Sequence, residues 1–341
     1  MTVRRVVLLF LSFVLAAGLV VLLMRLGHID PKAVWQQLRS VKVISLGKLV
    51  VLNAIFVAIS TEKWRKVDAA LRVPSDSVPS RLTAFSVTSV GMALGLVLPV
   101  QIGMTTARTM GTFLHGRALQ RGTAGTLFEQ GFDLMLMVFL AVASAVAWYL
   151  KCSALVWVML AGIMTGVALV SVGFFLRAIR ALSTACSSRR PKLKHRVWRA
   201  LSELQYSSLL DVSLARQLLL LSVLRFAVLV LMAHETANAI TVFIPLWHLA
   251  AAIPFVSISN LLALTPGGIG INELTSTTAL SLFGTPLAVA AQWSLANRVL
   301  VIASCFAVAV ISLTLVGVNR DFTFGANSSD EIDTEGMEER C

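Results

Sequence analysis

In a chain of 341 residues, 29 lysines and arginines face 17 carboxylates, a formal balance of +12, yet charged residues make up only 13% of it. That is about half the ~25% of an ordinary soluble domain, while the apolar set reaches 57% and the mean hydropathy is +0.83. These values exclude a water-soluble globular domain and a disordered chain, and they assign the cationic surplus to loops that orient a membrane protein rather than to nucleic acid.

The chain opens with Arg4 and Arg5, followed by uncharged Val6 to Met24. This run is longer than a usual signal-peptide core and meets Arg25 without a small-residue cleavage site, so it is expected to stay as a first span. At 31–42, Val34, Trp35, Leu38 and Val41 share one helical face, with Lys32, Arg39 and Lys42 elsewhere, the pattern of a short helix lying at the interface. Apolar stretches follow at 43–60, 82–98, 123–150, 153–176, 214–234, 240–264, 274–297 and 299–318. Judged against the ~20 residues needed to cross the hydrocarbon, they predict an all-α, polytopic bundle of about 6–8 spans. Trp64, Trp148, Trp157 and Trp247 near span ends fit an aromatic belt, and Lys48 near a helix end is placed to snorkel. Residues 1–320 form the expected single membrane domain, and 321–341 an acidic tail of disordered composition.

Lys/Arg placement tests the topology. If every stretch spans and the N-terminus is inside, the basic segment from Arg177 to Arg199 falls outside, against the positive-inside rule. If 82–107 and 248–283 instead dip in and return, the N-terminus and the 177–200 segment both lie in the cytoplasm. The two dipping elements also resemble each other: LGLVLPVQIG ends at Gly103, NLLALTPGGIG at Gly270, and both carry P-x-x-I-G (Pro99, Ile102, Gly103; Pro266, Ile269, Gly270). A candidate inverted repeat follows, with elements near 82–150 and 240–318, the construction by which transporters place broken helices at a substrate site.

Proline removes a helical donor and glycine tolerates strained angles. A helix restarting after Thr265-Pro266-Gly267-Gly268 would present free N–H groups to a phosphate or carboxylate. The plain alternative is a helix breaker at a membrane boundary, with Asn272 as N-cap and Glu273 in the first turn. Arg108, Glu129, Asp133, Arg225, Glu273 and Arg298 interrupt apolar surroundings, and each would cost about 2.5–3.5 kcal/mol at a lipid-facing helix centre. They are therefore expected to face inward, with the three arginines lining a polar cavity and the acids orienting them, or else to form buried structural ion pairs.

Other chemistry is absent from the pattern. His234-Glu235 lacks the second histidine of a zinc motif, Asn238 standing in its place. His248 reads as a packed residue. Cys152, Cys186, Cys305 and Cys341 are far apart, so no metal, disulfide or cofactor is expected. No nucleophile accompanies Glu129 and Asp133, so no catalytic residue is assigned.

The run TPGGIGINE with Arg298 downstream, and LP-x-x-x-G followed by Arg108 and E-x-x-x-D at Glu129 and Asp133, resemble the membrane region of the lysylphosphatidylglycerol synthase family, a flippase-like domain. The resemblance implies a bacterial or archaeal cytoplasmic-membrane protein that moves a phospholipid or lipid-linked envelope precursor between leaflets, without the synthases' aminoacyl-transferase half. Together with the broken helices and the intramembrane charges, it makes Pro99, Gln101, Gly103, Arg108, Glu129, Asp133, Arg225, Pro266, Gly267, Gly268, Gly270, Asn272, Glu273 and Arg298 the candidate substrate contacts. Gln101, Met104, Gln130 and Asn272 are neutral where the family usually carries charge. The expected partners are membrane lipids with anionic headgroups. A non-enzymatic translocator is the leading expectation. The alternative is a non-transporting subunit that anchors or regulates an envelope-lipid, hopanoid or glycolipid enzyme, itself a further candidate partner.

Overall fold

The computed structural model describes residues 14–15, 17–25, 27, 30–71, 79–98, 100–114, 119–188, 211–262 and 265–319. The expectations for residues 1–13, for Pro99, for Arg189 to Arg199 and for the acidic tail lie outside them. The described residues form an all-α bundle. Its helices are 17–25 (α1), Pro31–Ser40 (α2), Val43–Ala70 (α3), Arg81–Val97 (α4), Val100–Leu114 (α5), Leu119–Tyr149 (α6), Ala154–Ser188 (α7), Val212–Ala239 (α8), Leu246–Leu262 (α9), Ile271–Leu282 (α10) and Leu287–Asn319 (α11), with a 3-10 turn at Pro266–Gly268. Five of them, α3, α6, α7, α8 and α11, are long and apolar enough to cross a membrane. The protein is an integral, multi-pass membrane protein.

Local signals place the helix starts. Asp30 accepts from the Lys32 N–H ahead of Pro31 at the first turn of α2, Ser80 from the Thr83 N–H at α4, and Asp211 from the Leu214 N–H at α8. Each satisfies a donor the first turn leaves without a partner. Three boundaries differ from the sequence expectation. Helix α3 runs on to Ala70, because Glu62 and Arg65 pair outward at 3.1 Å while Trp64 and Val67 stay buried. The stretches 274–297 and 299–318 are redivided, since the chain turns at Phe283–Pro286 and then continues as the single helix α11. Arg177 and Arg180, expected in a loop, lie on α7.

Helices α4 and α5 form an antiparallel hairpin. A Cβ on Gly103 would lie 2.4 Å from the Gly95 nitrogen, one on Gly91 3.0 Å from Ala107 Cβ, and one on Gly111 2.9 Å from Val87. These partners advance in opposite directions along the two limbs. Helices α9 and α10 repeat the arrangement: Asn260 meets Asn272 near the turn, and His248 meets Thr285 at the open end, 2.9 Å apart. The two hairpins are the two elements expected to dip and return. Their tips touch, the Gly267 N–H donating to the Leu98 carbonyl at 3.1 Å.

The long helices wrap this pair. Helix α3 runs antiparallel to α8, joined by Lys48–Glu235 (3.4 Å) at one end and Lys66–Gln217 (2.9 Å) at the other. Buried polar contacts tie the bundle across helices, as small hydroxyl and amide side chains do in apolar surroundings: Asn53 to Ser304 (3.0 Å), Ser89 to Ser312 (2.6 Å) and Trp157 to Ser144 (3.0 Å). One apolar core joins α8, α9, α10 and α11, and a second joins α6, α7 and α8. Trp64 and Trp157 belong to the interior and not to an aromatic belt, whereas Trp148 is exposed. On α2, Val34 turns inward but Trp35 is exposed, with Arg39 stacked 5.1 Å from its ring.

The close limb contact gives a direct test. Gly103→Ala forces a methyl onto Gly95 backbone and is expected to destabilise the protein by about 1–3 kcal/mol. Gly162→Ala on α7, where a Cβ meets nothing within 4 Å, is expected to be neutral or slightly stabilising. Thermal unfolding of the purified variants in detergent compares the two; equal effects would contradict the hairpin packing.

Candidate functional site

The intramembrane charges fall into two clusters. The first sits where α3, α5, α6 and α8 converge. Lys63 is fully buried, its Nζ 2.6 Å from Asp133 Oδ1 and 3.9 Å from Glu129 Oε1, and it donates to Ser222 Oγ at 3.0 Å. Arg108, also buried, bonds Glu129 Oε2 through one Nη and the Ser60 carbonyl through the other at 2.9 Å. Its guanidinium lies 5.6 Å from the Trp64 ring, and that of Arg225, bonded to Asp133 Oδ2, lies 4.5 Å from Phe56. Each carboxylate is thus met by two cations, and Lys63 serves both. Glu129 and Asp133 project together because they are four apart on one helix.

The second cluster forms the tip of the α9–α10 hairpin. Gly267, Gly268 and Gly270 adopt φ of 56°, 70° and 86°, the left-handed region that a side chain disfavours. A Cβ on Gly267 would also lie 2.3 Å from the Leu96 carbonyl oxygen, so glycine is required here twice over. Glu273 reaches back to accept the Gly270 N–H at 2.5 Å, and its other oxygen lies 3.6 Å from Arg298 Nε. Arg298 donates to the Gly267 carbonyl at 2.5 Å. The pair therefore fixes the turn from both of its ends.

This geometry revises three expectations. The restarting helix does not offer all its N–H groups to a ligand: those of Gly267, Gly268 and Gly270 are taken by Leu98, Thr265 and Glu273. The N-cap position is Gly270, not Asn272; the Asn272 amide instead donates across the hairpin to Asn260 at 2.6 Å. Nor do the three arginines line one cavity. Arg108 and Arg225 belong to the first cluster and only Arg298 to the second. Gly103 packs between the limbs of its own hairpin. Pro99 lies outside the described residues, and for Gln101 and Pro266 only the backbone is described.

Two cavities flank the Glu273–Arg298 pair. One, of about 160 Å³, lies among α8, α9, α10 and α11 and is edged by Ser257, Asn260, Asn272, Ser276, Ser294 and Asn297. The other, of about 220 Å³, is an apolar slot between α1, α2 and α11, edged by Val20, Trp35, Leu38, Leu295 and Val299. Glu273 and Arg298 border both. The residue that sequence reasoning missed is Lys63. Its charged neighbours Glu62, Arg65 and Lys66 suggest a span end, but its place beside the buried face of Ser60, Trp64 and Val67 at helical spacing marks it as internal.

Removing one partner of a buried pair strands the other. Arg108→Met is expected to lower stability by about 3–5 kcal/mol, and adding Glu129→Gln to recover part of that loss, as measured by denaturation in detergent. A double variant less stable than the single one would contradict direct coupling.

A family model described as Lysylphosphatidylglycerol synthase TM region matches residues 9–310. No curated protein and no solved structure gives a match.

Proposed function

We propose that this chain, which belongs to the lysylphosphatidylglycerol synthase TM-region family, moves an anionic phospholipid or lipid-linked envelope precursor between membrane leaflets. The family suggests a membrane protein of lipid metabolism or transport, and translocation is the reading its geometry supports best. The observation that carries it is the ion pair Glu273–Arg298, set where two oppositely facing hairpins meet and bordered by a cavity on either side.

Charge at that depth is costly unless it serves a polar path or is fully paired. Arg298 holds the tip of a broken hairpin and keeps part of its side chain exposed. A lipid phosphate approaching it competes with Glu273 and the Gly267 carbonyl for the same guanidinium. Exchanging those partners couples headgroup binding to the position of the tip, which is how a bistable element biases access from one side to the other. The first cluster, whose carboxylates are saturated with cations, is the fixed counterpart that anchors α5 against α3, α6 and α8. In the orientation that puts the basic 177–200 segment in the cytoplasm, the α4–α5 hairpin opens to the cytoplasm and the α9–α10 hairpin to the opposite face.

The test is leaflet-resolved movement of fluorescent anionic lipids in proteoliposomes, comparing the unmodified protein with Arg298→Ala and Glu273→Ala. Movement above protein-free liposomes, reduced at least about tenfold by Arg298→Ala, is expected for a residue contacting the moving headgroup. If no anionic lipid moves faster than in protein-free liposomes, the translocator reading fails. A stoichiometric copurifying lipid enzyme, unaffected by either substitution, then supports the reading of a non-transporting subunit.

A further inference from the structure

Resting on the translocator reading, we infer that Lys63 takes up and releases one proton, which makes the first charge cluster the site where a proton gradient drives lipid movement. The balance of charge there points to it. Among the described residues, three cations, Lys63, Arg108 and Arg225, meet two acids, Glu129 and Asp133. With every group ionised, one positive charge is buried in surplus, a costly condition. Each acid also has an arginine of its own, Glu129 bonding Arg108 and Asp133 bonding Arg225. Arginine does not give up its proton in a protein, whereas lysine does so readily when buried. Loss of the Lys63 proton brings the cluster to neutrality and leaves both acids paired.

Hydrogen bonding at Nζ accommodates the neutral amine. Asp133 Oδ1 at 2.6 Å and Ser222 Oγ at 3.0 Å are the acceptors within reach among the described residues, and they match an amine's two N–H groups. The third N–H of the ammonium has only Glu129 Oε1, 3.9 Å away. A route outward exists as well, since Lys63 is fully buried while Asp133 keeps 17% of its side chain exposed. The Nζ–H bond facing Asp133 breaks, its electron pair stays on nitrogen, and the proton passes to Oδ1 and from the carboxyl to water. Uptake reverses these steps.

The charged groups facing Lys63 are Glu129 and Asp133 of α6, Arg225 of α8 and, across Glu129, Arg108 of α5. On α3 itself, Glu62 and Arg65 pair with each other, Lys66 bonds Gln217, and Asp68 falls on another face. The other charged residues of α6 and α8, Arg121, Arg216, His234 and Glu235, lie two turns or more along their helices from the cluster. Helix α4 carries Arg81 at its start, and α11 carries Arg298 in the second cluster. The charge on Lys63 reaches the hairpins through Glu129. With Lys63 neutral, Glu129 answers Arg108 alone, which tightens its hold on α5, the limb whose hairpin tip meets Gly267.

Denaturation of the full chain in detergent over a pH series, read as the difference between the unmodified protein and Lys63→Met, detects the proton without any transport. An unfolded lysine stays charged throughout the neutral range. The unmodified protein is therefore expected to gain on the variant as pH rises above a midpoint between about pH 6 and 8, by up to about tenfold in the folded-to-unfolded ratio per unit, and to run parallel to it below. Lys63→Arg, a cation that keeps its proton, gives the same comparison should Lys63→Met misfold. In proteoliposomes with the membrane potential clamped, a pH gradient is expected to shift the steady-state leaflet ratio of the fluorescent anionic lipid that moves in the assay above. The shift is up to about tenfold per unit of gradient, and both variants are expected to abolish it. A difference that is flat with pH overturns the proton site; a loss of stability on replacing chloride then places an anion against the surplus charge. A gain that never levels off down to about pH 5 overturns it too, because the site would then stay empty. Lipid movement indifferent to the gradient overturns the coupling and leaves the translocator reading standing. A pH-dependent difference without lipid movement does the reverse, upholding the proton site while the translocator reading fails.

Discussion

Among the described residues, a backbone hydrogen bond from the Gly267 N–H to the Leu98 carbonyl joins the tips of the two helical hairpins. Lipid supplies no partner for exposed N–H and C=O groups, so irregular backbone survives in a membrane protein only when buried in protein or beside a wet cavity. Here each tip provides part of the other's surroundings. The Leu96 and Leu98 carbonyls face the second turn, and the absence of a Cβ at Gly267 permits the approach. The five long helices each pack against one or both hairpins.

The two halves secure their hairpins by related means with reversed sign. The returning limb of the first hairpin carries a cation, Arg108, paired to an acid on the next long helix, Glu129. The returning limb of the second carries an acid, Glu273, paired to a cation on the next long helix, Arg298. The pairs differ in how firmly they are held. Arg108 and Glu129 are almost completely buried, and Lys63 lies beside them. Arg298 keeps 18% of its side chain exposed and borders two cavities. One pair is shut off from solvent, and the other is partly accessible beside two cavities.

Much of this was legible in the sequence, because membrane constraints act on composition and spacing. Hydropathy marked the long helices, and the cost of exposed cations on the wrong face indicated that 82–107 and 248–283 return to where they begin. Glu129 and Asp133 were recognisable as a pair by their spacing. Lys63 was obscured because the charges around it resemble a helix leaving the membrane, while its partners Asp133, Glu129 and Ser222 come from helices distant in sequence. The distribution of Arg108, Arg225 and Arg298 between two clusters was likewise hidden, since it depends on which helices meet. At the Pro266–Gly268 restart, what the sequence did not show is that Glu273 folds back on its own helix start and occupies the Gly270 donor.

The most direct test of the central claim is the side from which the hairpin feet are labelled in intact membrane vesicles. With native cysteines replaced, single cysteines at Ser80 and Phe113 mark the open end of α4–α5, and at Phe243 and Leu282 that of α9–α10; all four positions are exposed. A membrane-impermeant maleimide is expected to reach Ser80→Cys and Phe113→Cys from one side, and Phe243→Cys and Leu282→Cys from the other. Labelling of Ser80→Cys and Phe113→Cys from opposite sides would mean that the chain crosses the membrane between them, and would contradict two hairpins meeting at their tips.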